Sequence, residues 1–198
     1  MPPTKVVNLD THAIATLRYI RASMDAAGSV AIPGSAGIAM GGIALAAAML
    51  SLMPSLQAHW FAIWVGAAPL AAAVGAILLA KSGSLASFVA SGTPGRRLAL
   101  GLSPSVFAGA VMTLVLWTAE YTVAIPGTWL LLYGCALISA SVSTIAIVAW
   151  MGACFAGLGV AALLSPAAFH IPLLALGFGG LHIVFGILIA RGTHGRES

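Results

Sequence analysis

The sequence predicts an all-α integral membrane protein: a six-transmembrane-helix bundle, with internal echoes of a 3+3 inverted repeat and a short amphipathic helix ahead of it. Three observations predict this fold class: scarce charge, six apolar stretches of spanning length, and the placement of every Lys and Arg. Of 198 residues, 61% are hydrophobic and 6% are charged, and the mean hydropathy is +1.08. A water-soluble domain of this size carries roughly 25% charged residues to cover its surface. Eight Lys and Arg with four Asp and Glu cannot do that, so most of the outer surface faces lipid. The length suits one compact domain. Ala and Gly are abundant, and small residues let helix backbones approach closely in lipid, where no hydrophobic effect drives association.

Taken in order, residues 1–29 form a cytoplasmic N-terminal segment. Its mixture of Lys5, Asp10, His12, Arg18, Arg21 and Asp25 does not have the order of a cleavable signal, which places a short apolar run after a basic start. Asn8, Asp10 or Thr11 is placed to cap a helix. Ile14, Leu17, Ile20 and Met24 then fall near one face, with Arg21 and Asp25 paired at i,i+4. That pattern predicts a helix lying on the membrane surface.

The six-helix domain covers 30–191, and 192–198 form a cytoplasmic tail. A span needs about 20 apolar residues to cross about 30 Å of hydrocarbon. The predicted spans are 34–53, 60–80, 98–117, 127–142, 146–164 and 171–190. Pro33 opens the first and Pro54 closes it, since a proline at a helix start gives up only an N–H that would be unpaired anyway. Trp60 and Trp64 stand near one end of the second span and Lys81 at the other. The stretch 127–164 read as one helix would be about 57 Å long at 1.5 Å per residue. Ser139, Ser141, Ser143 and Thr144 cluster at its middle, so it is read as two spans joined by a tight turn.

Charge placement tests that division. With six spans and both termini inside, Lys5, Arg18, Arg21, Lys81, Arg96, Arg97, Arg191 and Arg196 all fall on the cytoplasmic side. The outside loops hold His59, Glu120 and His170 and no Lys or Arg. This is the positive-inside pattern, and five spans would spoil it. The formal charge of +4 therefore marks orientation in a membrane and not affinity for nucleic acid.

Three short segments recur in order. Val30-Ala-Ile-Pro-Gly34 returns as Val123-Ala-Ile-Pro-Gly127, Trp64-Val-Gly-Ala67 as Trp150-Met-Gly-Ala153, and Leu98-Ala-Leu-Gly101 as Leu174-Ala-Leu-Gly177. They relate spans one to three to spans four to six. Because three is odd, the halves would have opposite orientation, as in many transporters.

The last two spans carry a family resemblance. Gly152-Ala-Cys-Phe155, Gly159, Leu163-Leu164, Pro166, Leu173-Leu-Ala-Leu-Gly177 and Gly186-Ile187, up to Arg191, form a glycine-spaced hairpin with a proline at its turn. Over about 150–191 this resembles the hairpin of the HdeD-like acid-resistance proteins, small six-span bacterial membrane proteins. The resemblance implies a stress-linked membrane protein and no catalytic residues.

An ionisable group within a span is expensive, which makes it a functional candidate by default. His182, near the middle of the sixth span, is the clearest; a relay of protons, a metal or haem ligand and an anchor for a polar ligand are its functional readings. The plainer reading is an imidazole hydrogen-bonded to a neighbouring helix, with Ser103, Ser105, Thr113 and Tyr133 as candidate partners. Pro69 and Pro104 sit inside spans two and three, where a proline frees a carbonyl. Ser103-Pro104-Ser105 thus joins His182 and Tyr133 as a candidate intramembrane polar site. His59, Glu120 and His170 form a candidate outer-surface cluster, for proton sensing or a metal.

Gly37-Ile-Ala-Met-Gly41, a GxxxG, and the ridge Ala68, Ala72 and Ala76 suit close helix contacts, within a chain or between chains. Cys135 and Cys154 sit in apolar runs without CxxC or Cys/His spacing and read as packing residues. Walker-type and GxSxG signatures are absent from the sequence, as is any aspartate in or beside the later spans. The expectation is a small non-catalytic membrane protein, stress-related or an accessory, self-associating subunit, without cofactor or metal. Its partners are the lipid bilayer and copies of itself or other membrane-protein subunits. A small transporter or channel working as a homo-oligomer is the alternative, and a subunit of a membrane redox complex the second alternative.

Overall fold

The computed structural model describes residues 32–81 and 94–194, together with 14, 16 and 17. The amphipathic N-terminal helix expected before residue 30 lies outside these residues, except that Ile14, Thr16 and Leu17 are helical. Six helices are long and apolar enough to cross a membrane. We number them α1 (Gly34–Leu52), α2 (Trp60–Lys81), α3 (Pro94–Thr118), α4 (Ile125–Ala140), α5 (Ala146–Leu164) and α6. The last runs through His170–Leu174, a π-helical stretch Ala175–Leu181, and His182–His194. No strand occurs among the described residues.

Proline and short 3₁₀ turns punctuate the chain. Pro33 precedes α1 and Pro126 occupies the first turn of α4, both where a missing N–H leaves no helix bond broken. The stretch after Gly127 divides as six spans require, at the 3₁₀ turn Ser141–Ser143. There Ser141 Oγ donates to the Ile138 carbonyl at 2.6 Å, adding a side-chain bond to an oxygen that the Ser141 N–H also meets at the helix end. At the other end of the bundle α3 stops at Glu120, whose φ of 56° is left-handed. The Tyr121 N–H bonds to the Leu116 carbonyl at 2.8 Å and the Glu120 N–H to Trp117 at 3.1 Å, the double closure of a Schellman motif.

Neighbouring helices run antiparallel. A side chain grown on Gly37 would meet the His182 carbonyl and one on Gly41 the Gly179 carbonyl, so α1 rises as α6 falls. The GxxxG therefore serves a contact within the chain. On the other side of the bundle a Cβ at Gly134 would lie 2.5 Å from the Ala156 nitrogen and 2.6 Å from the Gly152 oxygen. Here α4 and α5 meet backbone to backbone, and only glycine permits that approach. Helix α1 packs on α2 and α6, and α4 packs on α5 and α3. Helix α6 joins the two groups through smaller contacts with α4 and α5.

The core sits where α4, α5 and α6 converge. Leu130, Met151, Phe155, Ala162 and Leu174 are buried there, Leu130 and Phe155 fully. By contrast α2 has no buried residue along its length. Lys81 ends α2, Arg96 lies in the first turn of α3 and Arg191 lies in the last turns of α6. Antiparallel packing thus brings these cations to one end of the bundle, called the basic end below.

Candidate functional site: an intramembrane cavity

A cavity of about 750 Å³ lies between α2 and α3, backed by α1, α4 and α6. Its origin is in the packing. Helices α2 and α3 have no substantial backbone contact among the described residues and touch through side chains near their two ends. Near the end away from the basic one, Phe61 stacks on Trp117 with ring centroids 4.5 Å apart. Toward the basic end, Leu79 packs on the buried pair Leu98 and Ala140. Between these closures the helices stand apart, and the α2 lining runs only to Ala72 while the α3 lining begins at Val106. The cavity therefore reaches from about mid-bundle to the end opposite the cations.

Small residues make the gap. Ala68 and Ala72 of the α2 ridge, facing Ala110 of α3, supply too little volume to fill it. Large rings shape the opposite end through Trp60, Trp64, Trp117 and Trp129. No Asp, Glu, Lys or Arg is among the described residues that line it. The volume is within the range of roughly 300–1,000 Å³ usual for small-molecule sites, which are mostly apolar with a few placed polar groups.

Those polar groups are few and mutually bonded. His182, only 4% exposed, stands at the mid-bundle end of the cavity. Its Nδ1 lies 3.0 Å from the Phe178 carbonyl, which can only accept, so Nδ1 carries the hydrogen. In the neutral ring Nε2 is then the acceptor, and the Tyr133 hydroxyl donates to it at 2.9 Å. Both ring nitrogens are satisfied, so metal or haem ligation would require giving up one of these bonds. Higher up, Trp129 Nε1 donates to Thr113 Oγ1 at 2.8 Å, and that hydroxyl donates to the Gly109 carbonyl at 2.7 Å. Trp64 Nε1 is buried without a partner among the described residues.

Aromatic packing fixes the histidine. Tyr133, Phe155 and Phe178 have ring centroids 5.5, 5.3 and 6.1 Å from His182. The three also touch each other at 4.9–5.2 Å, distances at which edge-to-face and offset pairs attract. The π-helical stretch ends immediately before His182 and contains Phe178. Such segments are rare and recur at functional sites.

The structure thus brings together two of the four expected polar residues, His182 and Tyr133. Ser103 and Ser105 do not join them and do not line the cavity. Ser103 lies a turn before Val106 on the way to the basic end and donates to its own Leu100 carbonyl at 3.3 Å. The outer-surface group is not assembled either. His170 is buried, its Nε2 directed at the Ser165 carbonyl at 3.2 Å, while His59 and Glu120 are exposed. Among the described residues no three His, Cys, Asp or Glu side chains gather as metal ligands would. Sequence reasoning missed the roles of Trp64, Phe155 and Phe178. The i,i+4 spacings Trp60/Trp64 and Phe178/His182 were the available signal, since such pairs share a helix face. The chain matches no known protein family, no characterised protein and no solved structure.

Proposed function

We propose that this is a non-catalytic membrane carrier or binding protein that takes an apolar molecule from the bilayer into the cavity between α2 and α3. The carrying observation is the cavity itself: about 750 Å³, without a charged side chain, beside two helices that do not pack together. Among the described residues no other helix crosses the gap, so the route in is sideways from lipid. This favours the transporter reading over the accessory-subunit one, for which no feature of the bundle speaks as directly. The orientation follows from the positive-inside pattern, with the basic end in the cytoplasm of a bacterial cell and the cavity in the outer half of the inner membrane. The HdeD-like resemblance of 150–191 fits a stress-linked setting for such a carrier.

The 3+3 repeat bears on how a carrier would work. Exchanging α1–α3 with α4–α6 turns the α1–α2 and α1–α6 contacts into α4–α5 and α4–α3, four pairs that all occur. At residue level the correspondence is loose. Gly66 has open space around it while its counterpart Gly152 is pressed against Gly134. The repeat is thus a reading of topology, with homo-oligomers as its working form.

Native mass spectrometry on protein extracted gently from its own membrane tests the proposal. A lipophile is expected to stay bound to the wild type and to fall at least tenfold in Ala72→Trp, which fills the cavity. Equal retention by both proteins, or a stoichiometric foreign protein chain in place of a small molecule, would sink it.

A further inference from the structure

The hydrogen-bonding inventory of the cavity points to the chemical class of its ligand, an inference that rests on the carrier reading. Tyr133 spends its hydroxyl hydrogen on His182 Nε2, and Thr113 spends its own on the Gly109 carbonyl. What each oxygen retains is capacity to accept. His182 has none left to offer, since one nitrogen donates to Phe178 and the other accepts from Tyr133. The remaining donors are indole N–H groups: Trp129 is engaged with Thr113, Trp64 Nε1 is buried in the packing, and Trp60 and Trp117 stand at the far end of the cavity, away from Tyr133. Around Tyr133, at the mid-bundle end, the wall therefore presents an acceptor to a guest and no exposed donor among the described residues.

Charge narrows the class further. No lining residue carries charge, so an ionised headgroup would sit uncompensated in apolar surroundings. A carboxylate or phosphate would also set oxygen lone pairs against the Tyr133 oxygen, because an ionised acid is an acceptor only. The rest of the lining is hydrocarbon, with small alanines toward mid-bundle and indole rings toward the far end.

We propose that the cavity takes an uncharged lipophile bearing a hydroxyl or N–H donor, which hydrogen-bonds to the Tyr133 oxygen while its hydrocarbon body lies between α2 and α3. Tyr133 is then a specificity-determining residue, and His182 positions it by holding its hydroxyl hydrogen.

Three photoreactive probes of one chain length test this on the full chain in vesicles: a long-chain alcohol, its methyl ether and the corresponding carboxylate. Mass spectrometry maps the labelled peptides. The alcohol is expected to label the α2, α3 and α6 walls at least tenfold more than the ether, and the carboxylate not to label them. Tyr133→Phe should bring alcohol labelling down to the ether's level and leave the ether unchanged, while Thr113→Val should preserve the preference. Equal labelling by alcohol and ether, or strong labelling by the carboxylate, overturns the ligand class and leaves the carrier reading standing. No labelling of the cavity by any probe overturns both. Should Tyr133→Phe fail to fold, the alcohol-to-ether ratio of the wild type decides.

Discussion

The α4–α5 hairpin and the α2–α3 pair are both built from Ala, Gly and Leu, yet one is the tightest contact in the bundle and the other encloses a void. In the hairpin, small residues meet small residues: Gly134 lies against Gly152 and Ala156, so the backbones close completely. Across the α2–α3 gap, Ala68 and Ala72 face Ala110 while Phe61 stacks on Trp117 at one end and Leu79 packs on Leu98 and Ala140 near the other. The larger side chains set the separation, and the alanines between them cannot span it. A small-residue ridge therefore makes a contact or a cavity according to what holds the helices apart at their ends. Composition alone does not distinguish the two.

That contrast breaks first at its core. Phe155→Ala, at a fully buried ring beside Tyr133, Phe178 and His182, is expected to destabilise the bundle by about 3–5 kcal/mol, read by equilibrium unfolding in mixed micelles. The glycine contrast comes next. Gly134→Ala puts a methyl against the backbone of α5 and should cost about 1–3 kcal/mol by overpacking. Gly66→Ala on α2, where a Cβ meets nothing within 4 Å, should be neutral or raise stability by up to about 1 kcal/mol through helix propensity. Equal effects at the two positions would show that the hairpin is not packed as described. A change of comparable size is expected for Glu120→Gly at the end of α3. Glycine relieves the left-handed backbone and should add about 1 kcal/mol, measured as a higher midpoint in the same unfolding assay.

Much of the architecture was legible because lipid leaves few choices: every backbone polar group in a span must be paired within the chain, so a long apolar run becomes a helix. The division of 127–164 followed from its length, the Ser/Thr cluster at its middle and the placement of Lys and Arg. The site was legible in part. A histidine in an apolar span must find a partner, and Tyr133 was among four candidates; choosing it over Ser103 or Ser105 depends on how far along α3 the gap extends. The cavity was not legible, because it results from spacing between two helices that scarcely touch. Glu120, expected with His59 and His170 in an outer-surface group, has a backbone role that its side-chain type did not announce: its left-handed conformation closes a helix end.

The π-helical stretch Ala175–Leu181 has a consequence for how α6 tolerates length changes. A π segment hydrogen-bonds i to i+5 and so accommodates more residues per turn than the α-helix around it. Removing one residue within it would let the helix rewind as continuous α while the side chains beyond keep nearly their present directions, because the wide turn already holds the extra residue. His182 would still face Tyr133, and Gly186 would keep its seat on α1. The same deletion in the α-helical part beyond His182 would turn every later side chain by about 100°, so the second half of the helix can lose a residue within 175–181 and not after it.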